Sequence, residues 1–327
     1  EFWVFFGLMI SARIHGRQGQ LWDDEDMEPE GIEQPVNLGH HTLKHRFQEI
    51  KKFVPCMRER PELEETDPWW QVSLMEEEFN ENRRRTVMSS FEKVLDELMS
   101  AFRSQTRKNG DLPNLSFVPR KPEPLGAEFK AVCCAVTAIM VWIELQRGRD
   151  ATRAAEFAAG SGVTAARTMR GARDSKRCVR FGDDEGPDED DPNEVFFDDS
   201  WFSSVETTCQ LWTEIGCRHG GILKTNCSRF PKKWMETTAK DWPAGSHVVS
   251  EGRAAREGVD LIATGCKRSS RKSLCFVCHK DAGSTECTDF YEAKWKDSNG
   301  NTESRRMPRP DIMGRCFRVC NRVDMHN

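Results

Sequence analysis

The sequence predicts an α/β protein with a helical front and a small β-rich unit near its end. Three observations carry that prediction. Residues 1–90 place apolar side chains at helical spacing, and short apolar runs alternate with helical ones from about residue 91. Residues 243–308 alternate turn residues with brief strand-like runs. The resulting order of strand, hairpin, helix, strand and helix is one in which strand ends carry sites.

The opening "EFWVFFGLMISA" is apolar over too few residues to span a bilayer and runs directly into Arg13, His15 and Arg17, so it reads as a buried helix. It lacks the charged start and small-residue cleavage site of a secretory signal, so the 13 cysteines read as reduced thiols of the cytosol or nucleus. A chain that opens on Glu1 instead of Met reads as a piece of a longer protein. In "TLKHRFQEIKKFV" Leu43, Phe47, Ile50 and Val54 recur along one helical stripe. "DPWWQVSLMEEEFNENRRR" reads as a further helix, started by Pro68 just after Asp67.

"FEKVLDELM" fits strand or helix equally. "GAEFKAVCCAV" (126–136) and "IMVWIEL" (139–145) read as two buried strands of one hairpin. "GSGVTAARTMRGARDSKR" reads as a helix carrying Arg167, Arg170 and Arg173 on one stripe. The acidic run 183–194 holds two prolines and almost nothing apolar, the composition of a solvated loop. "VFF" is a short strand, "SSVETTCQLWTEIG" a helix capped by Ser203 or Ser204, and "GILKTN" another strand. "IMGRCFRVCNRVDMHN" closes the chain as a helix.

The net charge of −5 does not announce a nucleic-acid binder, although acidic and basic residues are segregated along the chain. Chemistry concentrates in "VFFDDSWFSS" (195–204), where an apolar strand ends on two aspartates. Those carboxylates either cap the next helix or hold a cation at a strand tip. Asp96 after "KVL" and Asp199 after "VFFD" would each close a hydrophobic strand, and with a third acid from a helix they would suit Mg²⁺ or Mn²⁺. "CFVCH" (275–279) has the c-type haem spacing, and Cys275, Cys278, His279 and Cys287 could instead bind zinc; as a strand, the same string would simply alternate its faces. Cys316 and Cys320 read as core thiols. No phosphate-binding loop, no G-x-S-x-G elbow and no H-E-x-x-H pair occurs.

Three separated stretches resemble the transposase domain of the piggyBac family. "VLDELMSAFRSQTRKNGDLPNLSFVPRKPEPLGAEFKAVC" is similar in its Asp96-Glu97 pair, Arg103, Lys121-Pro122 and Gly126…Lys130. "VFFDDSWFSS" is similar to the family strand that ends in Asp, one small or polar residue and two aromatics, so Trp201-Phe202 set the frame and select Asp199 over Asp198. "KTNCSRFPKKW" resembles the strand and turn that follow. "RPDIMGRCFRVCNRVDMHN" resembles the closing motif and puts Asp324 at its third carboxylate. The chain departs from that motif at Cys316-Phe317, Asn321-Arg322 and Asn327.

The resemblance implies a ribonuclease-H-like mixed sheet flanked by helices. Its domains would be a helical N-terminal domain at 1–90, a first catalytic part at 91–242, a β-rich insertion at 243–308 and a closing catalytic helix at 309–327. It implies a further catalytic helix and a cysteine-rich DNA-binding segment beyond residue 327. Its activity would be DNA cleavage and strand transfer with two divalent ions, Mg²⁺ or Mn²⁺, at Asp96, Asp199 and Asp324. The implied partners are double-stranded DNA, at transposon ends and target site, and a second copy in a homodimer. The implied location is the nucleus, with no membrane. Arg103, Lys121, Lys130, Arg167, Arg170 and Arg173 are the expected phosphate contacts. A domesticated or decayed DNA-binding protein without catalysis is the other outcome of the same resemblance.

Overall fold

The computed structural model describes residues 4–5, 7–9, 22, 38–53, 61–101, 114–119, 121, 124–148, 151, 153, 155–176, 194–224, 226–269, 272–296 and 300–324. Arg103 and the acidic run through residue 193 lie outside them. The chain divides into two compact units, Glu1–Pro61 and Glu62–Asn327. The first unit therefore ends well before residue 90.

In the first unit, α1 (Lys44–Phe53) packs Phe47 into a small core with Phe5, Leu8 and Leu38. Trp22 joins it, its ring 4.8 Å from that of Phe47 and its Nε1–H donated to the Thr42 carbonyl at 2.9 Å. Leu43 falls just before α1 and stays 62% exposed, outside the expected stripe.

The second unit opens with α2 (Trp70–Thr86). Pro68 stands before the helix, and Asp67 steers the entry by accepting the Trp69 N–H at 2.9 Å. The ambiguous "FEKVLDELM" forms β1 (Glu92–Ala101) because both flanks of that strand are covered by others. β2 (Ser116–Phe117) is a short edge piece, and the expected hairpin is β3 (Leu125–Cys134) with β4 (Met140–Leu145). After a one-turn helix at Ala158–Ser161, α3 (Val163–Lys176) leads through the undescribed segment to β5 (Val195–Asp198). α4 (Val205–Ile215) starts on Ser204, whose side chain accepts the Thr207 N–H, and Gly216 ends it in the left-handed region at φ 67°.

β6 (Arg218–Leu223), α5 (Lys232–Thr238), β7 (His247–Ala254), β8 (Val259–Ser269) and β9 (Lys272–His279) follow. A separate hairpin of β10 (Cys287–Lys296) and β11 (Thr302–Pro310) precedes α6 (Asp311–Val319). α6 ends at Val319, and turns follow at residues 320–323.

Among the described residues, nine strands make one mixed sheet in the order β2-β3-β1-β5-β6-β9-β8-β7, with β4 also paired to β3. β1, β5 and β6 run parallel, and the other pairings are antiparallel. β7, β8 and β9 thus extend the large sheet, and β10–β11 stands apart as a ribbon. Alternate side chains face opposite sides. Val94, Phe129, Phe197 and Phe276 meet Trp69 and the apolar stripe Ile312, Met313, Cys316 and Val319 of α6 on one face. Leu95, Val132, Trp142 and Phe196 meet Met169 and Ala172 of α3 and Leu211 of α4 on the other. The class is mixed α/β, with helices covering both faces.

On the outer edge, the Asn80 side-chain amide of α2 donates to the Ile143 carbonyl at 2.8 Å and accepts its N–H at 2.9 Å, taking the place of a further strand on β4. No helix among the described residues is long and apolar enough to cross a membrane.

Candidate active site at the ends of the central strands

Asp96 sits within β1, and Asp199 is the first residue after β5. The parallel register pairs Leu95 with Asp198, which sets Asp96 level with Asp199 on the neighbouring strand. Adjacent strands lie about 4.8 Å apart, so this register alone makes the two positions neighbours. By alternation both belong to the face carrying Val94 and Phe197, where α6 packs. Asp324 follows α6 and the buried Val323, so the seating of α6 on the sheet delivers the third carboxylate.

The electrostatics of Asp96 reflect this placement. Burial pushes the Asp96 carboxyl up to about 7, and the negative charges of Asp199 and Asp324 push the same way. Two groups oppose that rise: the Glu97 N–H donated to Asp96 Oδ1 at 2.7 Å, and the nearby Lys121 ammonium. The Cys320 thiol, raised mainly by burial, also feels Asp96, Asp324 and Asp199. The three acids therefore surround one region.

Asp199 is half-buried and its Oδ1 accepts the Trp201 N–H at 2.7 Å, closing the turn that leads into α4. Neither aspartate caps that helix; Ser204 does.

Asp198 turns the other way. Its fully buried carboxylate accepts the Ser203 hydroxyl and lies 2.9 Å from His219 Nε2, and His219 Nδ1 lies 2.8 Å from the Thr208 hydroxyl. Gly221 is obligatory beside it, since a Cβ there would meet Ser203 Oγ at 1.7 Å and Asp198 Oδ1 at 2.5 Å. This buried polar chain ties β5, β6 and α4 together under the turn that presents Asp199.

Three oxygen donors with surplus negative charge are the right chemistry for a hard divalent cation. Their arrangement here is not yet a coordination shell. Lys121 Nζ binds Asp324 Oδ1 at 2.5 Å and the Glu97 carbonyl at 3.1 Å, and Asp324 is 52% exposed. No group of three or more His, Cys, Asp or Glu among the described residues could hold a metal ion.

The expected phosphate contacts need correction. The Lys130 side chain is 2% exposed and binds Glu128 and Glu97, while Arg167 and Arg170 are 7% and 10% exposed and converge on Glu144. Side chains with so little surface cannot meet a phosphate; they neutralise carboxylates that β3 and β4 bury. Arg173 is 29% exposed and binds Glu156 and Asp174. Lys121 serves the carboxylate cluster.

The CFVCH string is a core strand. Cys275 and Val277 join the cluster beneath α4, whereas Phe276 and Cys278 join the opposite one, so the two thiols cannot share an ion. Burial raises Cys278 to about 12, and the His279 ring lies 4.4 Å from Trp212. Cys316 is buried, as expected of a core thiol, but Cys320 is half-buried at the edge of the acidic cluster.

Sequence reasoning missed the Asp198–His219 pair and the contact of Lys224 Nζ with the Trp201 ring, 3.8 Å from its centroid. An exposed tryptophan two residues beyond a site carboxylate was the available signal for the second.

The sequence matches a family model described as Transposase IS4 over residues 1–311, a span that ends ahead of Asp324. No curated protein matches it. Among solved structures, the chain is similar to one titled as a cryo-EM structure of a piggyBac transposase synaptic complex with hairpin DNA. The TM-score is 0.62 and the identity 15%, with 99% of this chain and 57% of that chain covered. At this identity the likeness is one of fold, and this chain spans little more than half of that one. With the family model matched over nearly its whole length, the chain belongs to the transposase IS4 family.

Proposed function

We propose that the chain is the catalytic portion of a piggyBac-like transposase with a ribonuclease-H-like core. It would cut double-stranded DNA at transposon ends and transfer the freed strand through Asp96, Asp199 and Asp324. The observation that supports this best is the parallel register that sets Asp96 level with Asp199, with the charge of Asp324 acting on Asp96. Two divalent ions, Mg²⁺ or Mn²⁺, would supply the positive charge that activates the attacking oxygen and stabilises the leaving one. The chain's own part is positional. The Glu97 N–H orients Asp96, the turn through Trp201 fixes Asp199, and Lys121 must leave Asp324 before that carboxylate can take a cation. DNA as partner is supported by the family and by the DNA in the similar complex. A homodimer and a nuclear location complete the proposal.

The second reading, a transposase-derived DNA-binding protein without catalysis, is favoured by the Lys121–Asp324 ion pair and by Asn321-Arg322 and Asn327 in the closing motif. Nicking of a plasmid carrying a transposon end, in Mg²⁺ and in Mn²⁺, separates the two. Asp199→Asn should reduce metal-dependent nicking to background, because an amide cannot neutralise the ion. The same change should leave DNA affinity within about twofold, since it only removes a negative charge facing phosphates. A chain that binds DNA but nicks no better than Asp199→Asn is the non-catalytic protein. A chain that does neither overturns both readings.

A further inference from the structure

The mixed sheet ends on β7, which pairs with β8 alone among the described residues. Such an edge is a template for another strand unless something blunts it. β7 carries no proline, and its register with β8 runs from His247 to Ala254 without a shift. The Lys267 N–H donates to the Ser246 carbonyl at 2.8 Å, which fixes the alternation: the even-numbered residues of β7 direct their backbone groups to β8. The N–H and C=O of Val249, Glu251 and Arg253 therefore point away from the sheet. Among the described residues the Glu251 carbonyl accepts a hydrogen bond from the Ser250 hydroxyl, at 3.3 Å. On one face of β7, the small residues Ser250, Gly252 and Ala254 border a cavity of about 340 Å³ floored by Leu261 and Val277. A Cβ on Gly252 would meet nothing within 4 Å, so this apolar trough runs out to the edge. On the other face, the exposed Glu251 and Arg253 stand two residues apart with opposite charges, the Arg253 guanidinium 3.7 Å from Asp260 on β8.

We propose that β7 is a self-pairing edge through which two copies of the chain join, antiparallel about Gly252. Glu251 then faces the partner's Arg253, and Arg253 faces the partner's Glu251, at the positions whose backbone groups point outward. One register alone combines the backbone hydrogen bonds with both ion pairs. Sliding by two residues sets Glu251 against the partner's Glu251, or Arg253 against the partner's Arg253, and like charges directly opposite repel. The contact is isologous, so it closes at two copies, and it lays the two apolar troughs side by side on one face of the joined sheet. A strand pair of this length buries little area, which makes the contact a weak, micromolar one. β7 lies four pairings from β5, about 19 Å at 4.8 Å per strand, so the pairing leaves the carboxylates of β1 and β5 open. The interface gives the proposed homodimer a definite surface, and it rests on the sheet alone, not on the DNA chemistry.

The test is sedimentation velocity on the full chain, without DNA or metal, from about 1 to 200 µM. The parent should pass from monomer to dimer over that range. Glu251→Arg and Arg253→Glu should each weaken the dimer about tenfold or more, because each sets like charges opposite one another twice. An equimolar mixture of the two variants should assemble as tightly as the parent, since every facing pair is then opposite in charge. The double variant Glu251→Arg/Arg253→Glu should also dimerise like the parent, which shows that the single changes act through the pairing and not through the fold. A parent that stays monomeric throughout overturns the interface. So does self-association that either single variant retains in full, which places the dimer on another surface. Failure of the mixture and the double variant alike overturns it as well. Nicking by the monomeric variants, or its loss, bears on the catalytic reading and not on this interface.

Discussion

Glu76 shows what a single carboxylate costs when burial outweighs its partner. Desolvation lifts it from 4.5 to about 7, although Arg147 lies 3.0 Å away. A raised carboxylate favours the folded state while protonated, so its stabilising effect is complete below about pH 4.5 and is lost as the pH rises toward 7. The loss amounts to about 3 kcal/mol. Glu76→Gln should therefore gain about 1–3 kcal/mol over the parent at pH 8 and nothing at pH 4.5, measured by urea unfolding at both values. Asp199 was selectable because Trp201 and Phe202 fixed the frame, whereas Lys130, Arg167 and Arg170 looked like surface charges. Their burial depends on Glu97, Glu128 and Glu144, carboxylates brought to them by strand pairing and helix docking that spacing does not reveal.

At the scale of elements, the outer edge of β4 is closed by one side chain. Asn80→Ala would remove two hydrogen bonds to Ile143 and leave backbone groups of a covered edge without partners, at about 1–3 kcal/mol. A lower denaturation midpoint, together with faster thioflavin-positive aggregation below it, is the expected result. The hairpin β3–β4, the strand ending at Asp198 and the helices α1 to α4 were legible because each carries its own period. β1 was not, since "FEKVLDELM" satisfies helix and strand alike and only its neighbours β3 and β5 decide. Lys224 was read into a strand because the "GILKTN" run continues past Leu223, where pairing with β9 stops at Cys275.

For the whole molecule, the central pairings join distant parts of the chain. β1 and β5 are neighbours in the sheet while β3, β4 and α3 intervene in sequence. Closing so long a loop is expensive before contacts repay it, which places β1–β5 docking late in folding. Phe197→Ala, emptying a site that is 1% exposed, should cost about 3–5 kcal/mol. In stopped-flow experiments that cost should appear mainly as faster unfolding of the second unit, with refolding slowed much less. The order of strands about β1 was beyond sequence reading for the same reason: it depends on which distant pairings win. Residues 62–90 group with the sheet, because α2 lays Val72, Met75 and Phe79 on it, with Trp69 packed just ahead of the helix.

The parallel register that aligns Asp96 with Asp199 has a counterpart on the ribosome. Asp96 is synthesised roughly a hundred residues ahead of its neighbour, and Asp324 comes later still. At about 5–20 residues per second, β1 waits some 5–20 s with one flank paired to nothing, and the acidic centre is completed only after α6 has left the exit tunnel. A nascent chain caught in that interval exposes a strand with one flank unpaired and holds its acids apart. Chaperone occupancy should be greatest in that interval.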